Sequence, residues 1–470
     1  MVSNASGFFK WRVGGCASVA RFQLKLELQP SSGNGLRPES PVKLLVFAHK
    51  PPPHHGQSYM VQLLLDVLGR DHLPQHDSAT GAKCITGPAQ ERIECYHVDC
   101  RLSDSAEDIG RVRWVKLLRL LRYCVEAVWC RFRYGARIFL YVPAPGMRSA
   151  VYRDWLIMIL CRPFFSRRIY YWQAAGLADW LDTDAQPWER WLTERLLGRP
   201  HMGIALGEVA RRDPECLQTR RIEIVPNAIP DPCPDFDREV LPVRQARASD
   251  RLSALKGLTT ECRNISFHVL YLSLCLREKG LFDTVEAVAL ANSRLAQDSS
   301  PVRVCLDVAG KFWYEGERLE FIERIRRLDL NGTTGATTII YHGFVSGEEK
   351  NRLFLEADCF CFPTYYWAES FPLALLEAMA WGLPIISTKW RSIPEMLPAG
   401  HGEVVDSKSP NQIAVAILSL LARGYDPVLR GTYLQRYTAE RYTDNLRKAL
   451  GLLAGNAAPL PREKAVGRTP

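Results

Sequence analysis

The sequence predicts an α/β protein of two doubly wound, Rossmann-like domains in tandem. Three observations predict this. Apolar strand-like runs alternate with helical patterns along most of the chain. The alternation breaks once and then resumes. The length, 470 residues, exceeds what a single core usually organises.

Residues 1–40 end in QPSSGNGLRPESP and read as a mobile extension, because Ser, Gly and Pro favour turns over packed structure. The first domain is expected over 41–235. VKLLVFAH (42–49) opens it as a strand, followed by the loop KPPPHHGQS and the apolar helix YMVQLLLDVLG. Further strands are read at RIECYHV (92–98), RIFLYVP (137–143), RIYYWQA (168–174) and IEIVPN (222–227). Residues 236–264 are turn-rich and weakly periodic, which suits an interdomain connection.

The second domain is expected over 265–435. Its strands are FHVLYLS (267–273), VRVCLDVAG (302–310), TTIIYHG (337–343), ADCFCFP (357–363) and LPIIST (383–388). Helices are read at FDTVEAVALANSRLA, GERLEFIERIRRL and EEKNRLFLEA. TYLQRYTAERYTDNLRKALGLL reads as one terminal helix, with 436–457 assigned to pack back toward the first domain and 458–470 to a loose tail. Two such domains separated by a hinge favour a ligand bound in the cleft between them.

Composition narrows the function classes. The 47% hydrophobic and 24% charged residues describe a globular protein, and no apolar run is long enough for a transmembrane helix. The N-terminus has scattered charges and no clean apolar core, so a cytoplasmic location is expected, peripheral at the inner face of a membrane. The fourteen Cys fall mostly within apolar runs and read as reduced, buried thiols. A net charge of +9 suits anionic ligands or membrane surfaces, while the absence of a zinc-finger or aromatic-basic pattern argues against nucleic acid. There is no GxGxxG after the first strand and no Walker sequence, which removes the dinucleotide dehydrogenase and P-loop readings.

The chemistry concentrates at ESFPLALLEAMAWGLP (369–384). Pro372 suits the first turn of a helix, Ser370 can cap it, and Gly382 with Pro384 stops it. The helix is apolar nearly all round, so it is read as buried, and its N-terminal amides with the helix dipole form an anion site. Glu377 sits in its middle with Leu373, Ala374, Ala380 and Trp381 one turn away, none of them basic. A carboxylate with free lone pairs suits vicinal hydroxyls such as those of a ribose.

Glu369-x7-Glu377 within AESFPLALLEAMAWGLPIIST resembles the signature of glycosyltransferase family 4, the group 1, retaining glycosyltransferases with the GT-B fold. KPPPHHGQ, VPNAIPD, REKGLFDTVEA, DVAG, YHGFVS, ADCFCFPTYYWAESFP and RYTAERYT follow in the family's order, over about residues 42–455. The resemblance implies a sugar moved from a nucleotide-sugar donor to an acceptor hydroxyl, in cell-surface polysaccharide or glycolipid synthesis. It implies no metal and no cofactor. It assigns Glu377 to the donor ribose and Glu369 to the transferred sugar, with Ser370 and Phe371 nearby. The Leu373 and Ala374 amides and Lys279 would face the diphosphate, and Gly56 would let a first-domain loop approach it.

Two departures from the family pattern stand out. Leu274 occupies a position where relatives commonly carry Arg, which leaves Arg277 or Arg391 as substitutes. Gln173 occupies the place of a frequent His and, with His54, is assigned to the acceptor side. Glutamine orients a hydroxyl but is no base near neutral pH, which fits transfer of the acceptor's proton to the departing phosphate. The rival readings are an epimerase or phosphorylase on the same scaffold and a silent subunit that supports a partner transferase.

Two other features were weighed. Cys84, Cys95, His97 and Cys100 lack any CxxC spacing, and no metal site is assigned to them. The segment 111–137 gathers Arg111, Arg119, Arg122 and Arg133 on one side of a helix, with leucines and aromatics elsewhere. Such a helix can lie on an anionic membrane, consistent with a carbohydrate or lipid-linked acceptor.

Overall fold

The computed structural model describes residues 42–52, 56–69, 93–102, 114–258, 265–330 and 339–454. The chain forms two six-stranded sheets. The first holds β1 (Val42–Phe47), β2 (Ile93–Val98), β3 (Ile138–Tyr141), β4 (Arg167–Tyr171), β5 (Met202–Ala205) and β6 (Ile222–Ile224). Its spatial order is β2-β1-β3-β4-β5-β6, parallel throughout. The second holds β7 (Ile265–Leu272), β8 (Val302–Ala309), β9 (Ile339–Gly343), β10 (Cys359–Phe362), β11 (Ile385–Thr388) and β12 (Glu403–Val405). Its order is β12-β11-β10-β7-β8-β9, again parallel, with β7 and β8 in register from Ile265↔Val302 to Leu272↔Ala309.

This order fixes where a ligand can sit. From β7 the chain winds outward through β8 and β9, then returns to β10 on the other side of β7. Strand order therefore reverses between β7 and β10, and the carboxyl ends of these two strands mark the switch point where such folds bind ligands. The central parallel strands are buried on both faces, which is why they read as apolar runs: CFCF and IIST have no exposed residue.

Three apolar clusters hold the molecule together. One lies between the first sheet and the helices Trp114–Tyr134, Arg148–Cys161 and Pro187–Leu197. One packs the helix Leu281–Gln297 and the helix Pro410–Leu421 on the second sheet. The third is shared by both domains and includes Met60 and Leu64, Leu375 and Met379, and Tyr442 and Leu446.

Four expectations change. The segment 236–264 holds two helices, Phe236–Glu239 and Leu241–Leu255. The second shows no apolar period because its buried face is partly arginine. Arg244 donates to the carbonyls of Ala357 (2.5 Å) and Phe354 (2.7 Å), and Arg251 donates to that of Leu421 (2.8 Å). These are C-terminal carbonyls of other helices, left without intrahelical donors and favourably placed for cations. The terminal helix is two helices, Val428–Arg436 and Ala439–Ala454. The break falls where the Ile229 amide donates to the Tyr437 carbonyl at 3.2 Å. The strands β5 and β12 went unread, since runs of four and three residues carry too little pattern. Finally, the helix at 373 is capped by Pro372 without any side-chain bond, so Ser370 does not cap it.

The extension 1–40, the tail 458–470, the segment 111–113, Cys84 and the His54–His55 pair lie outside the described residues. Among the described residues no helix is long and apolar enough to cross a membrane.

Candidate active site

The crevice beside β7 and β10 is built by two loops zipped together. The Tyr365 amide and the Thr364 hydroxyl both donate to the Glu278 carbonyl, at 2.8 and 3.3 Å. Gly280 permits this approach: its φ is +81°, and a Cβ there would stand 2.4 Å from the Pro363 carbonyl oxygen. The zipped loops bring Lys279 against Glu369, and the Lys279 Nζ donates to the Glu369 Oε2. Both side chains are largely buried, and the ammonium also lies 4.7 Å from the Tyr366 ring centroid and 5.4 Å from that of Phe362. The cation thus has an anion on one side and aromatic faces on another. Burial, with the Glu369 carboxylate as the next contributor, raises the Tyr366 phenol pKa.

Beyond Glu369 the chain enters the helix Leu373–Ala380, whose first amides carry no side-chain cap. The first domain meets it there with the start of its own helix, Gly56–Leu68. A Cβ on Gly56 would lie 3.7 Å from the Leu373 Cδ1, so the two helix N-termini stand in van der Waals reach of each other. The uncapped N-terminus of the Leu373–Ala380 helix, with Gly56 opposite it and Lys279 on the neighbouring loop, has the positive character of an anion site.

Glu377 differs from its expectation. It is partly exposed, at 23%, rather than buried, and its Oε1 accepts a hydrogen bond from the Lys350 Nζ at 2.8 Å. The partner lies on the helix Gly347–Glu356, so a search along Glu377's own helix could not find it. Tyr59 of the first domain is close enough that Glu377 contributes, after burial, to raising its phenol pKa.

The acceptor-side assignment is tied to the same place. Gln173 Nε2 donates to the Asn227 Oδ1 at 3.1 Å, and the buried Asn227 donates through Nδ2 to the Phe371 carbonyl at 3.3 Å. A polar link therefore runs from the residues after β4 to Phe371, just ahead of the Leu373–Ala380 helix. Ser370 is buried between them in sequence, beside Glu369. Upstream, burial lowers the His49 pKa, and the His97 Nε2 bonds the Ala48 carbonyl oxygen at 2.8 Å.

The two arginines proposed to replace the missing one are both engaged. Arg277 donates to Glu320 at 2.5 Å and covers the Phe282 ring. Arg391 bridges the domains: it pairs with Asp179 at 3.0 Å and donates to the Trp367 carbonyl at 2.7 Å. Leu274 itself is exposed. A cavity of about 210 Å³ lined by Arg244, Asp358, His401, Glu403 and Tyr425 lies at the amino ends of the second sheet's strands, away from this crevice.

Sequence reasoning missed Lys350, Asn227, Tyr59 and the Arg391–Asp179 bridge. Only Asn227 had a visible signal, as the third residue of VPNAIPD.

Two doubly wound domains with a polar crevice at the second one's switch point define the GT-B class. Residues 265–431 match the family described as glycosyl transferases group 1. The amylovoran biosynthesis glycosyltransferase AmsK of Erwinia amylovora is 37% identical over 86 residues, 17% of this chain and 21% of that protein. The O-antigen chain mannosyltransferase B of Escherichia coli is 35% identical over 83 residues, 18% of this chain and 21% of that protein. The chain therefore spans about a fifth of the length of the curated relatives it matches. The fold extends further than the sequence likeness. Sucrose-phosphate synthase from Thermosynechococcus elongatus superposes with a TM-score of 0.56 at 15% identity, covering 87% of this chain and 99% of that one. The Anabaena HepE protein in complex with UDP gives 0.52 at 12% identity, covering 87% and 100%.

Proposed function

We propose that the protein is a retaining glycosyltransferase that moves a sugar from a nucleotide-sugar donor to an acceptor hydroxyl, in cell-surface polysaccharide or glycolipid synthesis. The observation that carries this reading is the convergence of Lys279, Glu369 and the uncapped Leu373–Ala380 helix at one crevice, opposite Gly56. Relatives named for amylovoran, O-antigen and colanic acid synthesis support the pathway class. The acceptor is a carbohydrate or lipid-linked glycan, reached through peripheral contact with an anionic membrane.

The mechanism follows from charge. As the sugar departs, negative charge grows on the diphosphate. The Lys279 Nζ and the Leu373 and Ala374 amides receive it, and Gly56 lets the backbone approach without a side chain between. Glu369 then turns to hydroxyls of the transferred sugar, and the free Glu377 Oε2 accepts from the ribose while Lys350 holds the Oε1. Gln173 orients the acceptor through its link to Asn227, and the acceptor's proton passes to the departing phosphate on the same face. Fixed donors of this kind typically contribute about 100- to 1,000-fold in rate each. No metal is part of this scheme, so turnover in the presence of EDTA is expected.

A thermal-shift screen against UDP-, GDP-, ADP- and TDP-sugars tests the reading, since a ligand that binds the native state raises the melting temperature. One nucleotide series is expected to raise it in the parent and to lose that effect in Glu377→Ala. A shift that survives in both Glu377→Ala and Lys279→Ala refutes the site. Product analysis separates the chemistry: a free epimerised sugar, a requirement for phosphate, or binding without any transfer each refutes the transferase.

A further inference from the structure

We propose that the outer face of three neighbouring helices in the first domain is a docking surface for an anionic lipid bilayer. This deepens the membrane contact of the proposed function by naming the surface, and it does not depend on the donor site.

The argument begins with the helix Trp114–Tyr134. A helix on a globular protein ordinarily carries one apolar stripe, turned to the core. This one carries two. Leu120, Cys124, Ala127 and Cys130 are buried against the first sheet. Trp114, Leu118, Leu121, Val125 and Phe132 follow at i, i+4, i+7, i+11 and i+18, which is also the repeat of a single helix face. That second stripe points outward: Trp114 is 83% exposed, Val125 68% and Phe132 70%. Arg122 and Arg133 run along one flank with Arg119 just behind, while Arg131 lies on the other flank. Glu126 is the only acid among the described residues of the helix.

The stripe continues onto its neighbours. The Phe132 ring meets Phe164 edge-on at 5.9 Å, and the Arg131 Nε donates to the Phe164 carbonyl at 2.8 Å. Phe164 follows the helix Arg148–Cys161, which exposes Ile159. The helix Pro187–Leu197 packs beside that one, with Trp188 in ring contact with Tyr152 and Trp155, and it exposes both Trp188 and Trp191. All three helices cover the same side of the first sheet, so their outer residues share one side of the molecule.

Apolar surface this continuous, left in water, marks an interaction site. The charges choose the occupant. A protein groove would need matched partners for the flanking arginines, whereas an anionic headgroup layer meets them at any lateral position while Trp and Phe enter the acyl boundary.

The test is sedimentation of the full chain, without donor, with vesicles of phosphatidylglycerol and phosphatidylcholine or of phosphatidylcholine alone. Because no turnover is measured, failure here is separable from failure of the transferase reading. The parent is expected to pellet with anionic vesicles and to be released as salt rises. The variant Trp114→Glu/Val125→Glu/Phe132→Glu is expected to lose at least about tenfold in partition with its melting temperature unchanged. Trp188→Ser/Trp191→Ser, on a different helix, is expected to lose several-fold. The proposal is overturned if the parent does not bind or binds neutral vesicles equally well. It is also overturned if either variant partitions like the parent, or if light scattering shows a dimer that the triple variant abolishes.

Discussion

Replacing Lys350 by Met tests whether Glu377 works as a preorganised acceptor. The Nζ–Oε1 distance is 2.8 Å and the side chains are 29% and 23% exposed, so the pair lies between a surface and a buried one. Surface pairs contribute about 0.2–1 kcal/mol, and breaking buried ones costs about 3–5 kcal/mol. The helix stem of Lys350 remains in Met, so packing changes little and an effect near ~1 kcal/mol is expected. Without the ammonium, Glu377 loses its fixed rotamer and must be ordered again when the donor binds. The donor KM is therefore expected to rise about fivefold, with kcat within roughly twofold, because ribose contacts are the same in the ground and transition states.

The assay is release of nucleoside diphosphate at varied donor concentration, using whichever donor the thermal-shift screen selects. A double-mutant cycle with Glu377→Gln should show coupling of about 1 kcal/mol between the two positions. If Lys350→Met and Glu377→Gln act additively, or if kcat rather than KM carries the loss, the pair does not preorganise the donor site.

Three further outcomes are expected. Lys279→Met should lower kcat about 100- to 1,000-fold, since it removes the cation facing the departing diphosphate, and should lower the melting temperature as well, because it leaves the buried Glu369 unpaired; a loss confined to KM would contradict that role. Arg430→Met should destabilise the fold by about 3 kcal/mol in a thermal melt, because it strands Asp231 (2.7 Å) and the Ala380 carbonyl (2.9 Å) at the junction of the domains. The hydrogen bond to Asp307 raises the His268 pKa above its ordinary 6.5, against the opposing effect of burial. The native state then holds the proton more tightly, so this stabilisation is full below pH 6.5 and is lost as pH rises through the folded value. His268→Asn should flatten the fall in urea midpoint above pH 6.5, and an unchanged pH profile would exclude the linkage.

Local pattern carried most of the strands because the central ones are buried on both faces and need only a short apolar run to be read. It failed where polar side chains do the packing. Arg244 and Arg251 occupy the buried face of the Leu241–Leu255 helix, and a search for apolar period passes over them. It failed again where one run of sequence serves two structures. TYLQRYTAERYTDNLRKALGLL is helical in pattern throughout, and only the contact with Ile229 across the domain junction divides it. At the site, the run ESFPLALLEAMAWGLP and the resemblance it carries pointed to Glu369, Glu377 and the amides at 373 and 374. What holds these groups comes from elsewhere in the chain: Lys279 from the loop after β7, Lys350 from another helix, Asn227 from the other domain. Side-chain spacing has no access to such pairs, because the sheet order that creates them is a property of the whole chain.

The two kinds of contact between the domains divide the labour. The chain crosses from one domain to the other twice, after β6 and again at Tyr437–Thr438, and the crossings lie side by side with Ile229 opposite Thr438. Around them the contacts are mostly buried: Tyr171 bonds Tyr442 at 3.0 Å, Tyr433 bonds the Ile229 carbonyl at 2.9 Å, and the buried Arg430 pairs with the half-buried Asp231. Nearer the crevice the tie of Arg391 to Asp179 is more exposed. Exposed single pairs contribute about 0–1 kcal/mol each, so the crevice edge can part without disturbing the paired crossings. The Gln173–Asn227–Phe371 link lies between these regions and is made of neutral amides. It can therefore pass a shift of the first domain to the N-terminus of the Leu373–Ala380 helix without moving a charge.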